Sequence, residues 1–246
     1  MQAFKDKFPR SICFVFLWIV ASVGLSAQPT PQVEGNVLVS EIDPAIAIKV
    51  DQSFTYLGRH PINIRNVAAG ERLVFAELNG ARANRLFILQ FEGFLPGIDN
   101  EYRYNLSDSP IVAGYPFRSN AYAFDFAKSA VESPGLESAA TAKFLFEKGI
   151  KAPKLQMMWR SLTVTSADKR NELILFYLED LSSYNMTLDE VYDPVTGNAT
   201  PAWTALQPAL EKRANESFRL TALDKNNYPL ANHWQRIPLR LSHRTD

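Results

Sequence analysis

The sequence of 246 residues contains one cysteine and three histidines, which removes several kinds of chemistry at once. Cys13 lies near the start, within a run of apolar residues. Zinc and copper sites need several nitrogen or sulfur ligands at ordered spacing, and His60, His233 and His243 do not provide them. We therefore predict no metal and no cofactor, and no role for a thiol nucleophile.

The chain also lacks an excess of charge of either sign. It has 26 basic and 26 acidic residues, so the formal net charge is +0. A protein that binds nucleic acid through bulk electrostatics needs a clear positive excess, and we therefore expect no nucleic-acid partner. Local motifs for nucleotides, metals and nucleophilic serine are missing too: there is no P-loop, no G-x-G-x-x-G, no H-E-x-x-H and no G-x-S-x-G.

Long hydrophobic runs are scarce, and the longest is at the N-terminus. Residues 12–25 form an apolar run of about 14 residues, shorter than the roughly 20 that a membrane-spanning helix needs. Lys5, Lys7 and Arg10 precede it, and Leu25-Ser26-Ala27 follows, which is the pattern of a secretory signal peptide. We predict a signal over residues 1–27, a flexible leader over 28–35 and a single domain over 36–246.

This N-terminal pattern predicts an exported protein, either periplasmic or secreted. Cleavage of the signal would remove Cys13, the only cysteine of the chain. Export of a domain without cysteine is typical of the bacterial envelope, where a domain can be stable without disulfides. The alternative is an uncleaved segment that anchors the chain to the inner membrane, which is the one case in which a membrane partner is expected.

Two β-hairpins are the clearest structural pattern in the remaining sequence. Residues 71–94 contain two apolar segments on either side of a polar turn that begins at Asn79-Gly80, and successive side chains of the second segment fall on opposite faces, which suits a hairpin. Residues 155–165 and 172–180 repeat this pattern around a charged turn. Apolar residues on both sides of residues 86–91 indicate a strand in the interior of the sheet.

Three segments favour helices. Residues 122–131 fit either a strand or a helix, and we favour the helix. Ser133 with Pro134 begins a second helix that ends at Gly149, and Thr200 with Pro201 begins a third. The predicted fold is α+β, with an antiparallel sheet built from the two hairpins and about three helices packed mainly on one face. Residues 237–241 alternate as a possible last strand.

The two hairpins also raise the possibility of an internal duplication. Residues 84–92 align without gaps on residues 171–179. Such similarity can also arise because both strands are buried on two faces, so duplication is only one of two explanations.

Aromatic and basic residues occur together in two segments, and they form our predicted ligand-binding set. The set is Tyr56, Arg59, His60, Tyr115, Phe117, Arg118 and Tyr122. An apolar pocket with a few polar groups is usual for small ligands. We therefore predict a non-catalytic envelope protein that binds a small apolar or amphipathic ligand, or an envelope protein partner.

The alternative prediction is a cofactor-free hydrolase. Glu77, Glu92, Glu179 and Asp180 lie on or near the ends of the hairpin strands, and two carboxyl groups in one cleft can act as acid and base. His60 is the other candidate base. No catalytic residue is assigned from the sequence, and the exit of the first hairpin at Glu92-Gly93 is where we would first expect a site.

Overall fold

The computed structural model describes residues 31–41 and 43–223, and these residues form an α+β fold with antiparallel sheets. The predicted signal and the possible strand at residues 237–241 lie outside the described residues. The strands are β1 (Gln32–Glu34), β2 (Val37–Ser40), β3 (Ile46–Val50), β4 (Thr55–Ile64), β5 (Ala68–Asn79), β6 (Arg82–Phe94), β7 (Ile111–Val112), β8 (Tyr115–Pro116), β9 (Arg118–Asp125), β10 (Leu155–Val164), β11 (Asn171–Asp180) and β12 (Phe218–Ala222). The helices are α1 (Phe126–Glu132), α2 (Glu137–Glu147), α3 (Leu188–Val191) and α4 (Pro201–Glu216), and a 3-10 turn spans Leu181–Tyr184.

The larger sheet has six strands in the order β4-β5-β6-β11-β10-β9. Both predicted hairpins are present, as β5-β6 and β10-β11, and their second strands pair with each other at the centre. The hairpins do not build the whole sheet architecture, because β4 and β9 form the edges and a second sheet has the order β1-β2-β3-β12. Strand β1 lies within residues 28–35, the range predicted as a flexible leader, and pairs with β2.

The six-stranded sheet is buried on both faces. Leu73, Phe87, Leu175 and their neighbours on one face pack in a core with the second sheet and with α4, and we call this the α4 face. Val74, Ile88 and Phe176 are among the residues on the other face, which packs against Phe144 and Leu145 of α2; we call it the α2 face. The alternation of a pleated strand produces this division.

The helices are divided between the two faces, so the prediction that they pack mainly on one face is wrong. Trp203 and Leu210 of α4 belong to the core of the α4 face, whereas Phe144 of α2 belongs to the core of the α2 face. A sheet whose central strands are apolar on both sides must be covered on both sides. The helices therefore form outer layers on opposite sides of the sheet.

The helix favoured over residues 122–131 is only partly present. Residues 118–125 form β9, and α1 begins at Phe126, with Asp125 as its N-cap. The Asp125 side chain accepts a hydrogen bond from the backbone N–H of Lys128. The segment shows both the strand and the helix periodicity because the strand ends where the helix begins. Pairing of β9 with β10 decides in favour of a strand up to Asp125.

Face assignment excludes the duplication in the register that the sequence suggested. That alignment equates Leu86 with Leu173 and Ile88 with Leu175, but the first member of each pair lies on the α2 face and the second on the α4 face. A two-fold axis that exchanges β6 and β11 keeps every side chain on its own face of the sheet. The sequence alignment is therefore one residue away from any register in which equivalent side chains would lie on the same face.

Gly70 provides a test of how closely the strands of the first hairpin approach each other. A Cβ atom at this position would overlap the backbone of β6 at Phe91 and Glu92. We expect Gly70→Ala to lower the free energy of unfolding by about 2 kcal/mol, because the strands must separate. Urea denaturation measures this change. Gly135→Ala is the control, since nothing lies within 4 Å of a Cβ there, and equal effects of the two substitutions would contradict the close approach.

Candidate functional site

An open cleft of about 610 Å³ lies between the α2 face of the sheet and the helices α1 and α2. This volume is within the range of about 300–1,000 Å³ that small-molecule sites occupy. Its floor is apolar and comes from three adjacent strands: Leu86 and Ile88 of β6, Ile174, Phe176 and Leu178 of β11, and Met158 of β10. Its walls are more polar and include Ser129, Ser133 and Ser138.

Arg72 places a buried positive charge at the side of this cleft. Its Nε donates to Oε1 of Gln90 at 2.5 Å, and its Nη1 donates to Oγ1 of Thr141 at 2.8 Å and to the carbonyl oxygen of Glu137 at 3.1 Å. The guanidinium carbon lies 4.9 Å from the centre of the Phe176 ring, in a cation-π contact. Burial lowers the pKa of Arg72 to about 10, so the side chain remains charged at neutral pH.

A second arginine reaches the cleft from the other side of Phe176. Arg160 of β10 is the direct cross-strand partner of Phe176, and Tyr122 of β9 lies two residues beyond the partner of Arg160. Burial raises the pKa of the Tyr122 hydroxyl, while the charges of Arg160 and Arg72 act in the opposite direction. The two arginines and this hydroxyl therefore surround the ring of Phe176.

Behind the cleft, polar side chains form a continuous row across the sheet. Nε2 of His60 lies 3.3 Å from Oγ1 of Thr141, which accepts from Arg72. Gln90 accepts from Arg72 and donates to Oε2 of Glu92. His60, Arg72 and Gln90 are successive cross-strand partners in β4, β5 and β6, so the pleat places all three on one face.

The row ends at a pair of carboxyl groups. Glu92 of β6 and Glu172 of β11 are directly opposite each other, and both are buried. Tyr102 donates to Oε1 of Glu92 at 2.8 Å. Oε2 of Glu172 has no hydrogen-bond partner in the part of the chain that the structure describes. Burial and the neighbouring Glu92 raise the pKa of Glu172 to about 9, so this side chain is protonated at neutral pH.

Glu92 and Glu172 are also among the residues that line a smaller cavity of about 300 Å³. Other lining residues include Gly70, Gly93, Pro96 and Asn171. This cavity lies at the Glu92-Gly93 exit of the first hairpin, the place where the sequence suggested looking first. Two like-charged groups that share a buried site hold a proton between them, and this arrangement can serve as an acid and a base.

The seven predicted ligand-binding residues do not converge on one cavity. Tyr122 lines the large cleft, and His60 lies on the same face of the sheet, behind Thr141. Arg118 is exposed on the edge strand β9. The others pack on the opposite side: Phe117 is buried in the α4-face core, Tyr56 and Tyr115 contact that core, and Arg59 pairs with Glu71 and the carbonyl oxygen of Pro31.

The carboxylates singled out in the sequence are also separated. Glu77 pairs with Arg85, and Asp180 pairs with Arg82. Glu179 accepts from Arg213 at 2.6 Å, from Tyr177 at 2.5 Å and from Tyr184 at 2.6 Å. Burial opposes ionisation of Glu179, but these donors outweigh it and the pKa is lowered. Only Glu92 meets another carboxyl group, and its partner is Glu172.

Sequence reasoning missed Arg72, Arg160, Gln90 and Glu172 as site residues. A signal for three of them was present, because Arg72, Gln90 and Glu172 interrupt strands that are otherwise apolar. A buried polar residue in such a strand needs a partner, and the partner depends on cross-strand register. The register cannot be read from either strand alone.

Within residues 31–41 and 43–223, no three or more His, Cys, Asp and Glu side chains are arranged as a metal site. No helix in these ranges is both long and apolar enough to cross a membrane. No protein-family model matches the sequence, and comparison with curated proteins and with solved structures also found no match. The site therefore has to be interpreted from its own geometry.

Glu172 gives a prediction for the dependence of stability on pH. The folded chain keeps the Glu172 proton up to a pKa of about 9, whereas an unfolded chain releases it near 4.5. Stability should therefore fall as pH rises between these values, by at most about 1.4 kcal/mol per pH unit from this group. We expect Glu172→Gln to remove this slope and to stabilise the fold increasingly from acidic to alkaline pH.

Urea denaturation at a series of pH values measures the slope for each variant. Glu211→Gln, on an exposed position of α4, is the matched control and should leave the slope unchanged. If Glu172→Gln destabilises the protein equally at every pH, Glu172 does not carry the buried proton.

Proposed function

We propose that this protein binds a small amphipathic ligand in the cleft between the α2 face and the helices α1 and α2. One observation carries this proposal: a cleft of about 610 Å³ has an apolar floor from three strands and polar groups at its side. An apolar surface of this kind, left open between two layers of a fold, is the usual form of a small-ligand site. No reacting group is required for such a role.

The cellular setting belongs to the same proposal. The N-terminal run at residues 12–25, preceded by basic residues, supports export to the bacterial envelope, either the periplasm or the exterior. A binding protein for amphipathic molecules suits this location, because such molecules cross an aqueous space poorly without a carrier. An envelope protein is the other partner that the sequence suggested.

A Trp in the cleft should block the ligand. Ser138 of α2 lines the cleft, whereas Lys143 is exposed on the same helix and is not among the lining residues. We expect the protein to bind the fluorescent amphipath 1-anilinonaphthalene-8-sulfonate at one saturable site, and Ser138→Trp to weaken this binding about tenfold or more by filling the cleft. Lys143→Trp should bind as the unmodified protein does.

Circular dichroism of both variants checks that the fold is retained. Non-saturable binding of the dye, or equal binding by both variants, would contradict a site in the cleft. Native mass spectrometry of the protein purified from its host gives an independent test, in which a bound amphipath of defined mass supports the proposal.

A second candidate function is hydrolysis at the Glu92–Glu172 pair. The observation in its favour is that Glu92 and Glu172 are directly opposite each other on β6 and β11 and both line a cavity, with the pKa of Glu172 raised to about 9. Glu92 would accept a proton from an attacking water, and protonated Glu172 would donate its proton to the oxygen or nitrogen of the leaving group. The water oxygen forms the new bond to the substrate as the leaving group departs.

This candidate predicts that the two carboxyl groups are equally necessary. In an assay with ester, peptide and glycoside substrates that release a fluorophore, we expect Glu92→Gln and Glu172→Gln each to reduce turnover by about 100-fold or more. Glu211→Gln should keep full activity. Turnover that survives both substitutions, or is absent from the unmodified protein, would exclude this function.

A further inference from the structure

The cleft has hydrogen-bond donors that the protein itself does not use. Arg72 commits Nε and Nη1 to Gln90, Thr141 and Glu137, but its Nη2 has no acceptor within residues 31–41 and 43–223. Arg160 donates from Nε to Asn120 at 3.2 Å, and neither of its Nη atoms has an acceptor in the same described ranges. A guanidinium presents its N–H groups in a planar fork that matches an anion such as a carboxylate.

These donors lie at one place in the cleft. Arg72 stacks on the Phe176 ring at 4.9 Å, and Arg160 is the direct cross-strand partner of Phe176. Tyr122 follows on the same face of β9, and its hydroxyl also has no hydrogen-bond partner among the described residues. Two guanidinium groups and one phenol therefore surround the middle of an otherwise apolar floor.

The acidic residues of the cleft form no ion pair with Arg72 or Arg160 in the part of the chain that the structure describes. Asp125 caps α1 and lies 3.8 Å from Lys154, and Glu132 lies 3.8 Å from Lys128 on α1. Glu137 and Glu92 both act on Arg72 electrostatically, but within the described part of the chain neither carboxylate forms a hydrogen bond or an ion pair with that arginine. The sheet side of the cleft thus carries two guanidinium groups with no directly bound carboxylate among the described residues.

We propose that the ligand of this cleft is an amphipathic anion of the fatty-acid type. Its carboxylate is held by Arg72, Arg160 and Tyr122, and its apolar chain lies on Leu86, Ile88, Met158 and Leu178. This inference rests on the proposed function and adds the charge of the ligand to it. Arg72 is prepared for the carboxylate, because Gln90 and Thr141 fix the guanidinium before any ligand arrives.

Two probes of equal chain length, decanoate and decanol, distinguish binding of a charged head group from binding of an apolar chain. We expect isothermal titration calorimetry to give an affinity for decanoate at least about tenfold higher than for decanol, because only decanoate can form charge-assisted hydrogen bonds. Arg160→Gln should remove most of this preference and leave decanol binding unchanged. Arg118→Gln is the matched control, an exposed arginine on β9 that does not line the cleft.

Glu137→Gln gives a test in the opposite direction. Removing this negative charge beside Arg72 should tighten decanoate binding severalfold and leave decanol binding unchanged. A variant that merely damaged the fold could not tighten binding of one probe alone. This test also avoids substitution of Arg72, whose buried hydrogen bonds make it important for folding.

The possible outcomes distinguish the two proposals. If decanoate and decanol bind equally well, and Ser138→Trp blocks both, the cleft binds amphipaths but the assignment of an anionic ligand is wrong. If neither probe binds, the proposed function itself fails. A preference for decanoate that persists in Arg160→Gln and is unaffected by Glu137→Gln would place the anion elsewhere and overturn the inference.

Discussion

The antiparallel pairing of β6 with β11 is the constraint on which the rest of the structure depends. Nine consecutive residue pairs, from Glu179↔Arg85 to Asn171↔Gly93, hold the two hairpins together at the centre of the sheet. Because both strands are buried on both faces, a slip of one residue would move every side chain into the opposite core. The same register brings Glu92 and Glu172 together and places Phe176 between the two arginines of the cleft.

Two buried glutamates, Glu179 and Glu172, have very different hydrogen-bond environments. Glu179, on the α4 side, is satisfied by Arg213, Tyr177 and Tyr184, an arrangement that joins α4 to the central strand. Glu172, on the α2 side, faces another carboxyl group and keeps one oxygen without a partner in the described chain. A buried polar group left without a partner lowers the stability of the fold.

Much of the fold could be predicted from local patterns. The two hairpins follow from apolar segments on either side of polar turns, and α4 follows from Thr200 and Pro201 at its start. The arrangement of the helices could not be predicted, because the sequence shows that a strand is apolar on both sides without showing what covers each side. The predicted ligand set shows the same limit: Tyr122 lines the cleft, whereas Tyr56 and Phe117 belong to the opposite side of the sheet.

The sequence by itself determined the α+β class, the two hairpins and the presence of a few polar residues within apolar strands. Those features depend on side-chain periodicity over a few neighbouring residues. Only the tertiary structure decided that Arg72 of β5, Arg160 of β10 and Tyr122 of β9 share a cleft. These residues come from strands far apart in the chain, and their proximity depends on strand order and register, which are set by long-range pairing of backbone groups.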